Sequence, residues 1–233
     1  MAINIDFGKF EEILGFKFKD KALLKQAFTH RSYINENRDL QIGHNERLEF
    51  LGDAVLELII TEYLYTKYPN SNEGDLTAYR SALVNAVTLS EAARKIGVNN
   101  FLLLSKGEAK DTGKARQYIL ANTMESVIGA IYLDQGYDVA KGFIAQNIFT
   151  LIDKIVADKS WIDSKSLFQE KAQEYYGETP LYKTMKETGP DHDKHFSVGV
   201  YAGNELIAEA GGKSKQEAEQ MAARKALEVK GWI

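Results

Sequence analysis

As far as Ala157 the apolar residues recur at intervals of three and four, the period of amphipathic helices. The runs FEEILGF, DKALLKQAFTHRSYI, ERLEFLGDAVLELIITEYLYTKY, LTAYRSALVNAVTLSEAARKIG, ARQYILANTMESVIGAIYLD and VAKGFIAQNIFTLIDKIV each predict a helix. Turn formers gather at YPNSNEGD (68–75) and SKGEAKDTGK (105–114), and a polar joint follows at ADKSWIDSK (157–165). Beyond it the period changes. SLFQEKAQEYYG predicts one more helix, and HFSVGVYAG alternates, with Phe196, Val198 and Val200 on one face of a strand. LYKTMKETG and ELIAEAGG fit its antiparallel neighbours. SKQEAEQMAARKALE predicts a final helix opened by Ser214 and Glu217 in a capping-box relation. The expected architecture is an all-α domain over 1–157, a linker at 158–163 and a small α+β domain of order α-β-β-β-α over 164–231.

One helical run is at odds with its own surroundings. Leu48 to Tyr65 is apolar nearly all round, which predicts a central buried helix. Yet Glu46, Glu49, Asp53 and Glu57 follow at spacings of three, four and four, so their carboxylates share one stripe. Like charges so placed cost roughly 0.2–0.5 kcal/mol per pair. A solvated helix face is the simple reading of that spacing alone. ILANTMESVIGAIYLD points elsewhere, because it sets Asn122 and Glu125 three apart among apolar residues. Gly52 and Gly129 lie inside these two helices, where glycine costs about 1 kcal/mol relative to alanine. That cost is tolerable where two backbones must approach closely. A crossing there gathers Glu49, Asp53, Asn122 and Glu125, and a hard cation such as Mg²⁺ would neutralise the cluster. Carboxylates around Mg²⁺ with open positions suit hydrolysis of a phosphodiester.

Composition narrows the setting. The 233 residues are 44% hydrophobic and 27% charged, as expected of a chain with a real core. No cysteine is present, which excludes disulfides and thiolate-bound zinc and fits a reducing compartment. The start MAINIDFGKFEEILGF lacks the pattern of a signal peptide, and no run is long enough to span a membrane, so a cytoplasmic location is expected. The net charge of −4 argues against a uniformly basic nucleic-acid binder but leaves room for a local basic face.

HNERLEFLGDAVLELI resembles the signature segment of the ribonuclease III family. THRSY (29–33) and ILANTMESVIGAIYLD match two further blocks of that family in order, and the trailing module resembles a double-stranded-RNA-binding domain. The resemblance runs the length of the chain and implies a homodimeric endonuclease that cuts double-stranded RNA with Mg²⁺, Mn²⁺ serving as a substitute. It further implies 5′-phosphate and 3′-hydroxyl ends with short 3′ overhangs, and a role in processing rRNA precursors and mRNA. By position, Glu49, Asp53, Asn122 and Glu125 match the metal site, with Asp53 and Glu125 the catalytic pair. Glu46 matches an outer acid of the cleft, Phe50 matches an aromatic of the dimer interface, and Glu57 matches nothing. Asn122 departs from the family, which carries aspartate there; an amide oxygen can ligate Mg²⁺ but brings no charge. A second reading therefore stands, a catalytically impaired protein that binds duplex RNA without cutting it. Retention of Glu49, Asp53 and Glu125 favours the enzyme.

Modules of the second kind read two minor grooves of duplex RNA and the phosphates between them. The resemblance assigns that work to Gln169 and Glu170 on the first helix and to His192 in GPDHDKHF. Lys213 and Lys215 serve at the start of the last helix, beside its free amide hydrogens. Gln216 replaces a third lysine common in the family, so modest phosphate affinity is expected. His192 and His195 have no partners at zinc spacing. His30 and His44 read as packing or hydrogen-bonding residues, and Tyr175, Tyr176 and Phe196 as core.

Overall fold

The computed structural model describes residues 5–159, 161–190 and 193–233, and the chain divides into units at Met1–Trp161 and Ile162–Ile233. The division falls inside the predicted linker.

The first unit is helical: α1 (Gly8–Leu14), α2 (Lys21–Ala27), α3 (Arg31–Glu36), α4 (Glu46–Lys67), α5 (Glu73–Val84), α6 (Ala86–Lys95), α7 (Lys114–Gln135), α8 (Tyr137–Asn147) and α9 (Ile152–Ala157). Leu56, Ile59, Ile60 and Leu64 of α4 share one core with Met124, Val127, Ile128 and Ile131 of α7. Three predicted helices are broken, and VAKGFIAQNIFTLIDKIV is one of them, dividing into α8 and α9 around a 3₁₀ turn at Phe149–Leu151. DKALLKQAFTHRSYI stops after Ala27, because Thr29 pairs with Leu103 in an isolated bridge and the His30 N–H donates to the Leu103 oxygen at 3.0 Å. His30 then caps α3 by accepting from the Ser32 N–H at 3.3 Å. LTAYRSALVNAVTLSEAARKIG breaks at Asn85, whose side-chain oxygen accepts from the Thr88 N–H at 2.9 Å and caps α6. The break before α3 is set by that long-range bridge, and the break before α6 by a side chain that offers the backbone a local alternative to helix.

The buried central helix is α7, not α4. On α4 one side stays open, with Phe50 82% exposed and Leu58 and Tyr65 also out. The expectation of a helix buried all round fails there, because none of the described residues of this unit covers that side.

The second unit consists of α10 (Ser164–Tyr176), β1 (Leu181–Thr188), β2 (His195–Ala202), β3 (Glu205–Gly212) and α11 (Lys215–Val229), with the strands antiparallel in the order β1-β2-β3. Phe168, Ala172, Val200 and Ile207 pack with Ala222, Ala223, Ala226 and Leu227. Alanines facing the sheet bring α11 close to it. Ser214 caps α11 by accepting from the Glu217 N–H at 3.1 Å. Glu217 reaches back to the Lys213 N–H at 2.8 Å, one residue earlier than the usual box. Tyr175 and Tyr176 are exposed rather than core: they lie at the end of α10 around Trp232, on which Tyr175 stacks at 5.1 Å. Phe196 is half-buried.

Candidate functional site

Helices α4 and α7 make the most extensive helix contact of the first unit, and two glycines set how close they come. A Cβ on Gly52 would stand 1.8 Å from the Glu125 backbone oxygen; one on Gly129 would stand 2.3 Å from the Leu48 oxygen. No side chain fits at either position. The Ser126 hydroxyl, buried beside them, lies 2.8 Å from the Asn122 oxygen and 3.3 Å from the Asn45 oxygen, linking α7 to the carbonyl that opens α4.

The predicted acids gather around this crossing. Glu49 and Glu125 are half-buried and Asp53 is exposed at the edge. The Asn122 amide is hydrogen-bonded to the Glu49 carboxylate, a contact that favours its charged form. Burial outweighs it, and with the charges of Glu46 and Asp53 it pushes Glu49 above the ordinary carboxylate range. Burial, then Asp53 and then Glu49, push Glu125 up to about 8. Glu49 and Glu125, buried at one crossing beside Asp53, thus resist ionisation unless a cation joins them. The oxygens of Glu49, Asp53 and Glu125, with the Asn122 amide oxygen, are hard donors of the kind Mg²⁺ favours, so in chemical type the residues fit such an ion. The set is not drawn tight: among the described residues no three His, Asp or Glu side chains are grouped closely enough to hold a metal. Glu57, fourth in the stripe, lies on the exposed side of α4.

Glu46 stands at the outer edge as the first residue of α4. Arg31 Nη1 lies 3.8 Å from its Oε1, and His44 Nδ1 lies 3.7 Å from its Oε2. His30 is a hydrogen-bonding residue, with Nδ1 2.8 Å from Ser32 Oγ, and burial pushes its imidazole down, towards the neutral form. Ser32 Oγ accepts from the Ser105 N–H at 3.0 Å, so THRSY holds the loop that precedes α7. Arg116 completes that hold without belonging to any motif. It is 9% exposed and donates to the backbone oxygens of Glu108 (2.8 Å) and Asp111 (3.1 Å) and to Asn99 Oδ1 (3.2 Å). Its one trace in the sequence is a charge in phase with Ile119 and Leu120.

In the second unit, Gln169 and Glu170 are exposed on α10, in a shallow groove shared with Ser166, Gln173 and Glu174. Lys213 and Lys215 flank the cap of α11 and are exposed, the Lys215 ammonium 5.7 Å from the Phe196 ring. Gln220 donates to Asp163 at 3.1 Å and Lys165 pairs with Glu219 at 2.6 Å, which sets α10 against α11. His192 lies outside the described residues.

Residues 20–152 match the family described as Ribonuclease-III-like, and residues 164–230 match the double-stranded RNA binding motif. A protein named Ribonuclease 3 from Bdellovibrio bacteriovorus is 44% identical over 229 residues, 97% of either chain. Ribonuclease 3 of Carboxydothermus hydrogenoformans is 47% identical over 219 residues, 94% of this chain and 93% of its own. A solved nuclease domain of ribonuclease III from Campylobacter jejuni superposes with a TM-score of 0.55 at 40% identity, covering 61% of this chain and 98% of that one. Identity of this order across both units leaves one conclusion: the chain belongs to the ribonuclease III family and is an endoribonuclease acting on double-stranded RNA.

Proposed function

We propose that cleavage takes place at the α4–α7 crossing, where Glu49, Asp53, Asn122 and Glu125 hold Mg²⁺, or Mn²⁺ in its stead, and Asp53 and Glu125 are the catalytic residues. The observation that carries this is Glu125, driven up to about 8 by burial beside Asp53 and Glu49, a state that a bound dication relieves. Mg²⁺ supplies polarisation of the scissile phosphate and a water of lowered pKa. The glycine contact fixes the spacing of the two acid-bearing helices, and the Asn122 amide orients Glu49. Attack of water on phosphorus with departure of the 3′ oxygen leaves a 5′-phosphate and a 3′-hydroxyl. Gln169, Glu170, Lys213 and Lys215, with His192, hold the duplex. The natural substrates of this reading are rRNA precursors and mRNA.

The same reading makes the protein a homodimer through the open side of α4. Phe50, Leu58 and Tyr65 are large apolar residues in a row that the described residues of the helical unit leave uncovered. The Campylobacter jejuni domain has a region involved in dimer formation, and a second copy of this chain is the matching occupant here. Two sites offset across a dimer account for short 3′ overhangs. The competing reading, capture without cutting, rests on the missing charge at Asn122.

Labelled duplex RNA incubated with Mg²⁺ or with EDTA decides between them. The parent is expected to cut only with Mg²⁺. Asp53→Ala and Glu125→Ala are expected to bind the duplex as the parent does and to lose at least about 100-fold in turnover, the order found when one preorganised charge-stabilising group is removed. Unchanged turnover in either variant at saturating Mg²⁺ removes the proposed site, and a parent that binds without cutting establishes the second reading.

A further inference from the structure

We propose that Arg31 and His44 are positioning residues that hold the Glu46 carboxylate at the outer edge of the cleft, one on each oxygen. His44 Nδ1 is shielded from water and finds no hydrogen-bond partner among the described residues, a condition that asks for an explanation in any folded protein. The nearest acid is Glu46, 3.7 Å away through Oε2, while Arg31 Nη1 stands 3.8 Å from Oε1. Both gaps exceed a hydrogen bond by roughly half an ångström. Such contacts in a free enzyme are often long and tighten when substrate is engaged.

The backbone beside both donors is fixed, although the Arg31 side chain itself is 67% exposed. Gln26 Nε2 donates to the His44 oxygen at 3.1 Å, and the Asn45 N–H donates to the Thr29 oxygen at 2.9 Å. The Asn45 side chain, 3% exposed, reaches the Ala27 oxygen at 3.4 Å. The segment that ends at Arg31 and the segment that begins at His44 are therefore tied to each other immediately before α4. The charge of Glu46 bears on Glu49, so where that carboxylate points affects the cluster at the crossing. Closing both gaps locks one rotamer of Glu46 and offsets part of its charge. It then stands as a fixed acceptor beside the metal-holding set instead of a mobile competitor for the cation.

This inference rests on Glu46 as the outer acid of the cleft, and the test separates the two. Turnover of duplex RNA is measured for the full chain at saturating Mg²⁺ in Glu46→Ala, His44→Ala, His44→Asn, Arg31→Ala, Arg31→Lys and the double variant His44→Ala with Glu46→Ala. The asparagine amide nitrogen takes the place of Nδ1. His44→Ala and Arg31→Ala are expected to lower kcat about tenfold, the order of one charge-assisted hydrogen bond, with KM for the RNA and the melting temperature unchanged. His44→Asn and Arg31→Lys recover most of the loss, and His44→Ala adds nothing once Glu46 is alanine. Glu46→Ala turning over like the parent overturns the role of Glu46 itself. An impaired Glu46→Ala beside unimpaired His44→Ala and Arg31→Ala overturns this inference alone. So does a His44→Ala loss that persists without Glu46, or one that comes with a lowered melting temperature and no recovery in His44→Asn.

Discussion

Asn122 stands between two roles. Its amide is hydrogen-bonded to Glu49, which a carboxylate at that position would repel, while its oxygen offers a cation an uncharged ligand. Asn122→Asp adds a negative charge that attracts Mg²⁺ and raises the energy of the empty site, and both effects favour the metal-bound state. The variant is expected to reach half-maximal cleavage at lower Mg²⁺ and to gain more heat protection from the metal than the parent does. Cleavage rate against Mg²⁺ for both proteins checks this; a parent curve at or below the variant's means the Asn122–Glu49 hydrogen bond outweighs the missing charge. Glu11 shows the opposite balance. Burial by itself would raise its carboxyl, but the Lys21 ammonium and the Phe18 N–H, 2.6 Å away, more than offset that and hold it below its ordinary value. A carboxyl lowered on folding contributes stability above its unfolded value of about 4.3, and that stability is lost as pH falls through the lower folded value. Glu11→Gln is therefore expected to cost roughly 1–3 kcal/mol at pH 7. Thermal unfolding followed from neutral to acid pH should show the gap between parent and variant closing as the carboxylate protonates.

Helix α7 shows how context decides what a glycine is worth. In an exposed helix interior, glycine to alanine gains about 1 kcal/mol. Gly142 of α8 is such a place, since nothing lies within 4 Å of a Cβ there. At Gly129 the same methyl would meet the Leu48 oxygen at 2.3 Å, and overpacking of this kind costs about 1–3 kcal/mol. The crossing term is the larger, so the sign reverses. Gly142→Ala should raise the melting temperature, while Gly129→Ala should lower it and reduce cleavage by spreading Glu49 and Asp53 from Glu125. A Gly129→Ala protein with full activity and an unchanged melting temperature would show that the two backbones need not touch.

For the molecule as a whole, the open side of α4 is the feature that most needs a partner. Burying one phenylalanine is worth about 1.5–3 kcal/mol, and a two-fold interface counts Phe50 twice, giving ~3–6 kcal/mol. That corresponds to roughly 100- to 10,000-fold in the dimer dissociation constant. Sedimentation of the full chain at micromolar concentration should show a dimer, and Phe50→Arg should shift it to monomer. A parent that sediments as a monomer would require another explanation for Phe50, Leu58 and Tyr65.

Much of this was legible in local pattern. The period of three and four places α4, α7 and α10 close to where they form, alternation finds β2, and Ser214 marks the start of α11. The spacing of Glu46, Glu49 and Asp53, and the two glycines inside apolar helices, pointed to the crossing that the structure contains. Such signals are local, because helix and strand periods and caps depend on near neighbours in the chain. Other features were not legible. The apolar period runs straight through Phe28 to His30 and through Asn85, and what breaks it at the first is a bridge to Leu103, far along the chain. Arg116 reads as an ordinary helical arginine until Glu108, Asp111 and Asn99 close around it. The exposure of Tyr175 and the approach of Arg31 and His44 to Glu46 are likewise set by which segments meet in space. Composition and period determined that this chain forms helices, a small sheet and an acidic crossing. Packing alone decided which side of α4 stays open, because burial belongs to the contact between elements and not to the element that carries the residues.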